Sequence, residues 1–122
     1  MKILTGVDIV KNSRIEKAYK KFGDKFLKKL YTDAEIEYCK SKADFIGCIS
    51  ARFAAKEAII KAFYKARGKI LYFKDIEILG KSGEPAVIIL HTEKDLLNDC
   101  FIDISLSHEE DFSVASVSVI LY

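Results

Sequence analysis

The sequence predicts an α+β fold, with helices packed on a mostly antiparallel sheet around one long central helix. Apolar residues recur at helical spacing through the first half of the chain, and they alternate with polar ones through much of the second. Between the two lies Asp44 to Ala66, the longest helical pattern, whose segment Arg52 to Ala62 is a helix-favouring run without Gly or Pro. Helices grouped before strands, rather than alternating with them, indicate α+β. The 122 residues are expected to form a single domain, 1–122, large enough to bury its own core.

The first element is a short β-branched run, Ile3 to Val10, which reads as a strand. Gly6 permits a bulge or a close backbone approach. Asp8 is an acid in an apolar segment and needs a partner or a metal, unless it lies on an edge or caps the next helix. Asn12 or Ser13 can cap a helix to about Phe22, with Ile15, Ala18, Tyr19 and Phe22 on its apolar side. Gly23 stops it. A second helix, about Asp24 to Leu30, turns Phe26, Leu27 and Leu30 inward. Thr32-Asp33-Ala34-Glu35 has capping-box spacing and starts a third, to about Lys40.

The long helix follows, with Phe45, Ile49, Phe53, Ile60 and Phe63 on a broad apolar face and Gly68 as its stop. Phe73 to Leu79 reads as a strand, Gly80 to Gly83 as a turn, and Ala86 to His91 as the return strand. Glu93 to Asn98 fits one helical turn or two. Ile102 to Ser107 and Phe112 to Leu121 alternate and form a terminal hairpin around Glu109-Glu110-Asp111. There is no internal repeat, linker or low-complexity segment.

Composition narrows the function classes. No apolar run approaches the ~18 residues of a membrane span. The start, Met-Lys-Ile-Leu-Thr-Gly, lacks the apolar core of a signal peptide. Cys39, Cys48 and Cys100 are odd in number and form no CxxC, so a reduced cytoplasm fits and a cysteine zinc site does not. Residues 1–30 carry nine Lys/Arg against three Asp/Glu, whereas residues 91–122 carry one against seven. The basic end fits either an anionic partner (nucleic acid, membrane surface or acidic protein) or a solvated lysine face with none.

Several side chains could carry chemistry. Glu57 and Lys61 are four apart and share a helical face, where small Ala54, Ala55, Ala58 and Ala62 leave room for a close approach. A surface ion pair is the simplest reading of the two. Asp8 adds a second carboxylate, and hard oxygens suit Mg²⁺ together with substrate phosphates. Lys61 could then neutralise a phosphate oxygen or protonate a leaving group, and Arg52 could reach a phosphate. His108 ends a strand beside a turn. Gly83-Glu84-Pro85 could offer backbone N–H groups to a phosphate, or be an ordinary hairpin turn.

Taken together, Gly6-Val7-Asp8-Ile9-Val10, Arg14-Ile15, Arg52-Phe53-Ala54-Ala55-Lys56-Glu57-Ala58 with Lys61-Ala62, Asp75 to Ile78, Gly83, Pro85 and Leu106-Ser107-His108 form a pattern in order and spacing. It resembles the holo-acyl-carrier-protein synthase family, small bacterial 4′-phosphopantetheinyl transferases, over nearly the whole chain. The resemblance implies the phosphopantetheinyl transferase fold and transfer of the phosphopantetheine arm from coenzyme A to a serine of acyl carrier protein, which serves fatty acid biosynthesis. It implies Mg²⁺ on Asp8 and Glu57, with Lys61 at the departing ADP oxygen. A metal-bound water or Glu57 would activate the serine. Coenzyme A contacts would come from Arg52, Lys61, Gly83, Pro85 and His108. The first helix would receive the carrier's acidic helix at Arg14, supported by Lys17, Lys20 and Lys21. A cytoplasmic homotrimer with active sites between subunits is implied, without nucleic-acid or membrane binding.

The pattern departs twice. Phe63-Tyr64-Lys65-Ala66 replaces an early glycine after Lys61-Ala62, so the helix should run on. Glu84 stands where the family turn is usually basic, so that a basic contact to coenzyme A is either missing or supplied by Lys81. The competing class is a non-catalytic basic module holding an acidic protein or RNA, although nothing resembles an aromatic-studded nucleic-acid motif.

Overall fold

The computed structural model describes residues 1–80, 84 and 86–122. Strand β1 (Lys2–Lys11) leads into helices α1 (Asn12–Phe22), α2 (Asp24–Leu30), α3 (Asp33–Lys40) and α4 (Phe45–Arg67). Strands β2 (Ile76–Leu79), β3 (Val87–Leu90), β4 (Cys100–His108) and β5 (Phe112–Leu121) follow. The strands make two antiparallel sheets, β1-β5-β4 and β2-β3. The α+β class with one long central helix is therefore observed.

Helix α4 is the axis of the core and packs along β1 and β5. Ala54, Ala55, Ala58, Ile59, Ala62 and Phe63 are fully buried on it. The strands answer with the alternate residues Gly6 and Val10 of β1 and Ala115, Val117 and Val119 of β5. Small residues on both sides bring backbone close to backbone. A Cβ on Gly6 would lie 2.4 Å from the carbonyl oxygen of Ala58, so only glycine fits there. Of Gly6's two readings, the close approach is the one observed.

The ends of the helices follow local chemistry. Thr32 and Glu35 form the expected capping box on α3. Asp44 caps α4 by accepting from the Gly47 N–H at 2.9 Å, and Gly68 closes it in the left-handed region at φ 66°. The helix runs through Phe63 to Arg67, as the missing early glycine predicts.

Four expectations are corrected. Asn12 does not cap α1. Its side chain donates to Glu109 and Glu110 carbonyls and accepts from Ser113 Oγ, tying the helix start to the β4–β5 turn. Phe22 points outward and is 56% exposed, because α1 ends at Gly23 before the chain packs down. The segment before β2 is a 3-10 turn, Phe73–Asp75, held by Asp75 accepting from the Tyr72 N–H at 3.0 Å. Cys39 and Cys48 are joined in a disulfide, although nine residues apart, because the α3–α4 turn brings their Cα atoms to 5.5 Å. Glu93 to Asn98 resolves to a 3-10 turn at Lys94–Leu97.

One feature was not foreseen. Lys56 is fully buried, and its Nζ donates to Glu35 Oε1 at 2.6 Å, the Leu30 carbonyl at 2.7 Å and the Phe73 carbonyl at 2.9 Å. Glu35 also accepts from the Thr32 N–H at 2.9 Å and the Ile78 N–H at 3.0 Å. Burial pushes the Lys56 pKa down, opposed by Glu35. Replacing Lys56 with Met would strand a buried carboxylate and two carbonyls. Lys56→Met is expected to lose about 3–5 kcal/mol in urea unfolding, and a loss below about 1 kcal/mol would show that the network is dispensable.

Candidate active site and coenzyme-sized cavity

Asp8 reaches the site because β1 alternates. Gly6 and Val10 face α4, and half-buried Asp8 lies between them on the same side. The Gly6–Ala58 contact sets the strand against the helix within its 57–61 turn. Lys61 Nζ donates to Asp8 Oδ1 at 3.0 Å. Glu57, half-buried, stands one turn earlier on the same face. The structure thus brings Asp8 and Lys61 into contact, with Glu57 beside them, and Lys61 takes the strand carboxylate as its partner. Two carboxylates and an ammonium at a partly open surface can hold a cation and a phosphate together.

Arg52 and His108 belong to a different place. Five residues separate Arg52 from Glu57, a turn of about 140° around the helix. Arg52, His108, Tyr38, Lys42, Asp44 and Glu84 line a cavity of about 490 Å³. That size suits a small-molecule ligand. Arg52 does not project freely, as a phosphate-seeking arginine would. It is 7% exposed, with Nε on the Ile78 carbonyl at 3.3 Å and Nη1 on Cys48 Sγ at 3.3 Å. Tyr38 lies against its guanidinium at 4.6 Å. Burial pushes its pKa down, while Glu35 and Tyr38 pull it up. His108, at the end of β4, turns Nδ1 toward Asp44 Oδ2 at 3.6 Å. Gly83 and Pro85 lie outside the described residues, whereas Glu84 between them lines the cavity.

Arg14, Lys17, Lys20 and Lys21 are exposed on α1 as expected. Lys20 pairs with Glu16 at 3.2 Å. Next to them, Phe22 and Phe26 line an apolar hollow with Lys25, Lys28 and Lys29. Sequence reading missed Tyr38 and Asp44 as cavity residues. Their signal was faint, since both lie at helix ends brought together only by the α3–α4 turn.

The relatives place the chain in a phosphopantetheine-transferring class of protein. The family model for the 4′-phosphopantetheinyl transferase superfamily matches residues 5–117. The chain is 49% identical over 114 residues to a holo-[acyl-carrier-protein] synthase of Aquifex aeolicus, covering 92% of this chain and 93% of that one. It is 39% identical over 110 residues to the holo-[acyl-carrier-protein] synthase of Chlamydia trachomatis, covering 90% and 92%. The Helicobacter pylori synthase, solved in complex with coenzyme A, superposes with a TM-score of 0.77 at 36% identity, over 93% of this chain and 97% of that one. The chain therefore belongs to the 4′-phosphopantetheinyl transferase superfamily, among the holo-[acyl-carrier-protein] synthases.

The Asp8–Lys61 pair is partly open, with the lysine side chain 52% exposed, so it contributes little to folding. Lys61→Ala is expected to change unfolding free energy by less than about 1 kcal/mol. A loss above about 2 kcal/mol in the same urea titration would make Lys61 a structural residue and remove it from the site.

Proposed function

We propose that the chain transfers the 4′-phosphopantetheine arm of coenzyme A to a serine of apo-acyl carrier protein and releases 3′,5′-ADP, supplying holo-carrier for fatty acid synthesis in the cytoplasm. The contact of Asp8 with Lys61, one turn from Glu57, supports it most directly, in a chain 49% identical to a holo-[acyl-carrier-protein] synthase. The serine oxygen attacks the coenzyme's pyrophosphate, the new P–O bond forms, and the bond to the ADP oxygen breaks. Lys61 Nζ would donate to that departing oxygen. Glu57 is the carboxylate on this face able to take the serine proton.

The donor set fits Mg²⁺. Asp8 and Glu57 would hold it, in keeping with a cation that takes one or two carboxylates and leaves the rest to substrate phosphates. When bound, Mg²⁺ would offset the pyrophosphate charge.

The coenzyme would span two copies of the chain. Asp8, Glu57 and Lys61 stand on one face of α4, and the cavity of Arg52 and His108 on another. The outer face of the β1-β5-β4 sheet carries open apolar side chains, with Ile3, Val7 and Ile9 more than 60% exposed and Phe101 51% exposed, among polar Thr5, Asp103, Ser116 and Ser118. Such a face suits a second copy. A homotrimer would set one subunit's His108 and its Gly83–Pro85 segment beside the next subunit's Asp8. Arg52 would line that pocket from within its wall. On α1, Arg14, Lys17, Lys20 and Lys21 would receive the acidic helix of the carrier.

Intact-mass analysis tests the reaction. Protein, Mg²⁺, coenzyme A and apo-acyl carrier protein should yield a carrier heavier by one phosphopantetheine arm, and an unchanged carrier beside an active control synthase would refute the reading. Asp8→Ala and Glu57→Ala should each lower the rate by about 100-fold or more with the fold retained, and wild-type turnover in either would remove the metal assignment.

Carrier docking is tested separately. Arg14→Glu should weaken carrier binding more at low than at high ionic strength. Equal weakening at both would argue against electrostatic docking.

A further inference from the structure

We propose that Cys48 is a thiol–disulfide exchange site for low-molecular-weight thiols and disulfides entering the cavity, and that the Cys39–Cys48 bond governs how firmly the cavity wall is held. The effect on coenzyme A rests on the functional reading above, whereas the exchange itself does not.

The bond sits where it can act. It joins the last turn of α3 to the first turn of α4. The segment it spans, residues 41–44, contributes Lys42, Ala43 and Asp44 to the cavity. Tyr38, next to Cys39, and Cys48 itself line the same cavity. Otherwise this segment is held by local hydrogen bonds, such as Ser41 N–H to Glu37 at 3.2 Å and the Asp44 cap at 2.9 Å, and by the contact of Asp44 with His108 at 3.6 Å. The disulfide is its one covalent tie among the described residues.

The two sulfurs are not equivalent. Cys39 has no exposed surface, while Cys48 is 7% exposed and faces the cavity. Attack is therefore directed to Cys48. Arg52 Nη1 lies 3.3 Å from Cys48 Sγ and stabilises a thiolate there. Cys100 is the internal contrast: its thiol donates to the Leu96 carbonyl, and burial pushes its pKa up.

The chemistry balances. A thiolate RS⁻ attacks Cys48 Sγ, forming a mixed disulfide and breaking the Sγ–Sγ bond, and Cys39 leaves as a thiolate that water protonates. A second RS⁻ attacks the R sulfur, releasing RSSR and the Cys48 thiolate beside Arg52. Two thiols are oxidised to RSSR as the protein disulfide is reduced to two thiols. In reverse, the Cys48 thiolate attacks RSSR and Cys39 expels RS⁻. With the bond closed, the wall is preorganised and coenzyme A binds more tightly, by about three- to tenfold.

Glutathione is the probe. Native protein incubated with oxidised or reduced glutathione is acid-quenched, denatured, alkylated and weighed. The oxidised sample should take one label, at Cys100, and the reduced sample three. In Cys39→Ser, oxidised glutathione should leave one glutathionyl group, mapped to Cys48. Three labels after oxidised glutathione, or modification of Cys100 in place of Cys48, would overturn the exchange site. Calorimetry with coenzyme A should show the affinity difference between the two wild-type forms and none in Cys39→Ser/Cys48→Ser. Equal affinity of the wild-type forms would overturn the link to the wall. Absence of coenzyme A binding in both forms would instead sink the coenzyme reading, and label counts alone then decide the exchange: one after oxidised and three after reduced glutathione support it, and the same count after both refutes it.

Discussion

A fully buried ammonium cannot be left unpaired, and the placement of Lys56 obliges much of this fold to meet around it. Its three acceptors come from the end of α2, from α3 and from the turn before β2. Glu35 extends the demand to the Ile78 N–H of β2, and Thr32, which caps α3, also donates to Glu77. These elements are thereby held in register by buried polar groups as well as by the core they share. Tyr31 joins the same region, its hydroxyl donating to the Ile49 carbonyl at 2.8 Å, and burial with the nearby Glu35 raises its pKa.

The run Arg52-Phe53-Ala54-Ala55-Lys56-Glu57 shows how one helix divides its labour by angle. Arg52 turns to Cys48 and Tyr38 at the cavity wall, Lys56 to the buried carboxylate, and Glu57 with Lys61 to the strand carboxylate. The alanines between them let β1 and β5 close in. A motif that reads as a single functional block serves two faces of the helix: buried Arg52 and Lys56, four apart, share one, and Glu57 with Lys61 takes the other.

Much of this was legible in the residues. The α3 capping box, the uninterrupted α4, its Gly68 stop and the alternating terminal hairpin all rest on local rules, which act between neighbours in sequence. What escaped depends on partners far away. Asn12 looked like a cap because the β4–β5 turn that claims its side chain lies about a hundred residues on. The cysteines looked unpaired because spacing does not show a tight inter-helix turn. Lys56 drew no reading of its own because nothing local marks a buried lysine. Among the site residues, Asp8 and Lys61 were joined by motif and are in contact, while Arg52 lies deeper than its sequence suggests.

Gly6 lets strand and helix touch through their backbones. The span from Asp8 to α4 is thus set by main-chain contact, which does not vary with rotamer. A carboxylate held this way sits at a height that repacking elsewhere in the core would hardly move. Substitutions that remodel the apolar interior can accumulate while the acid keeps its distance from the lysine, whereas one added methyl at this glycine would act on every later step of the site at once.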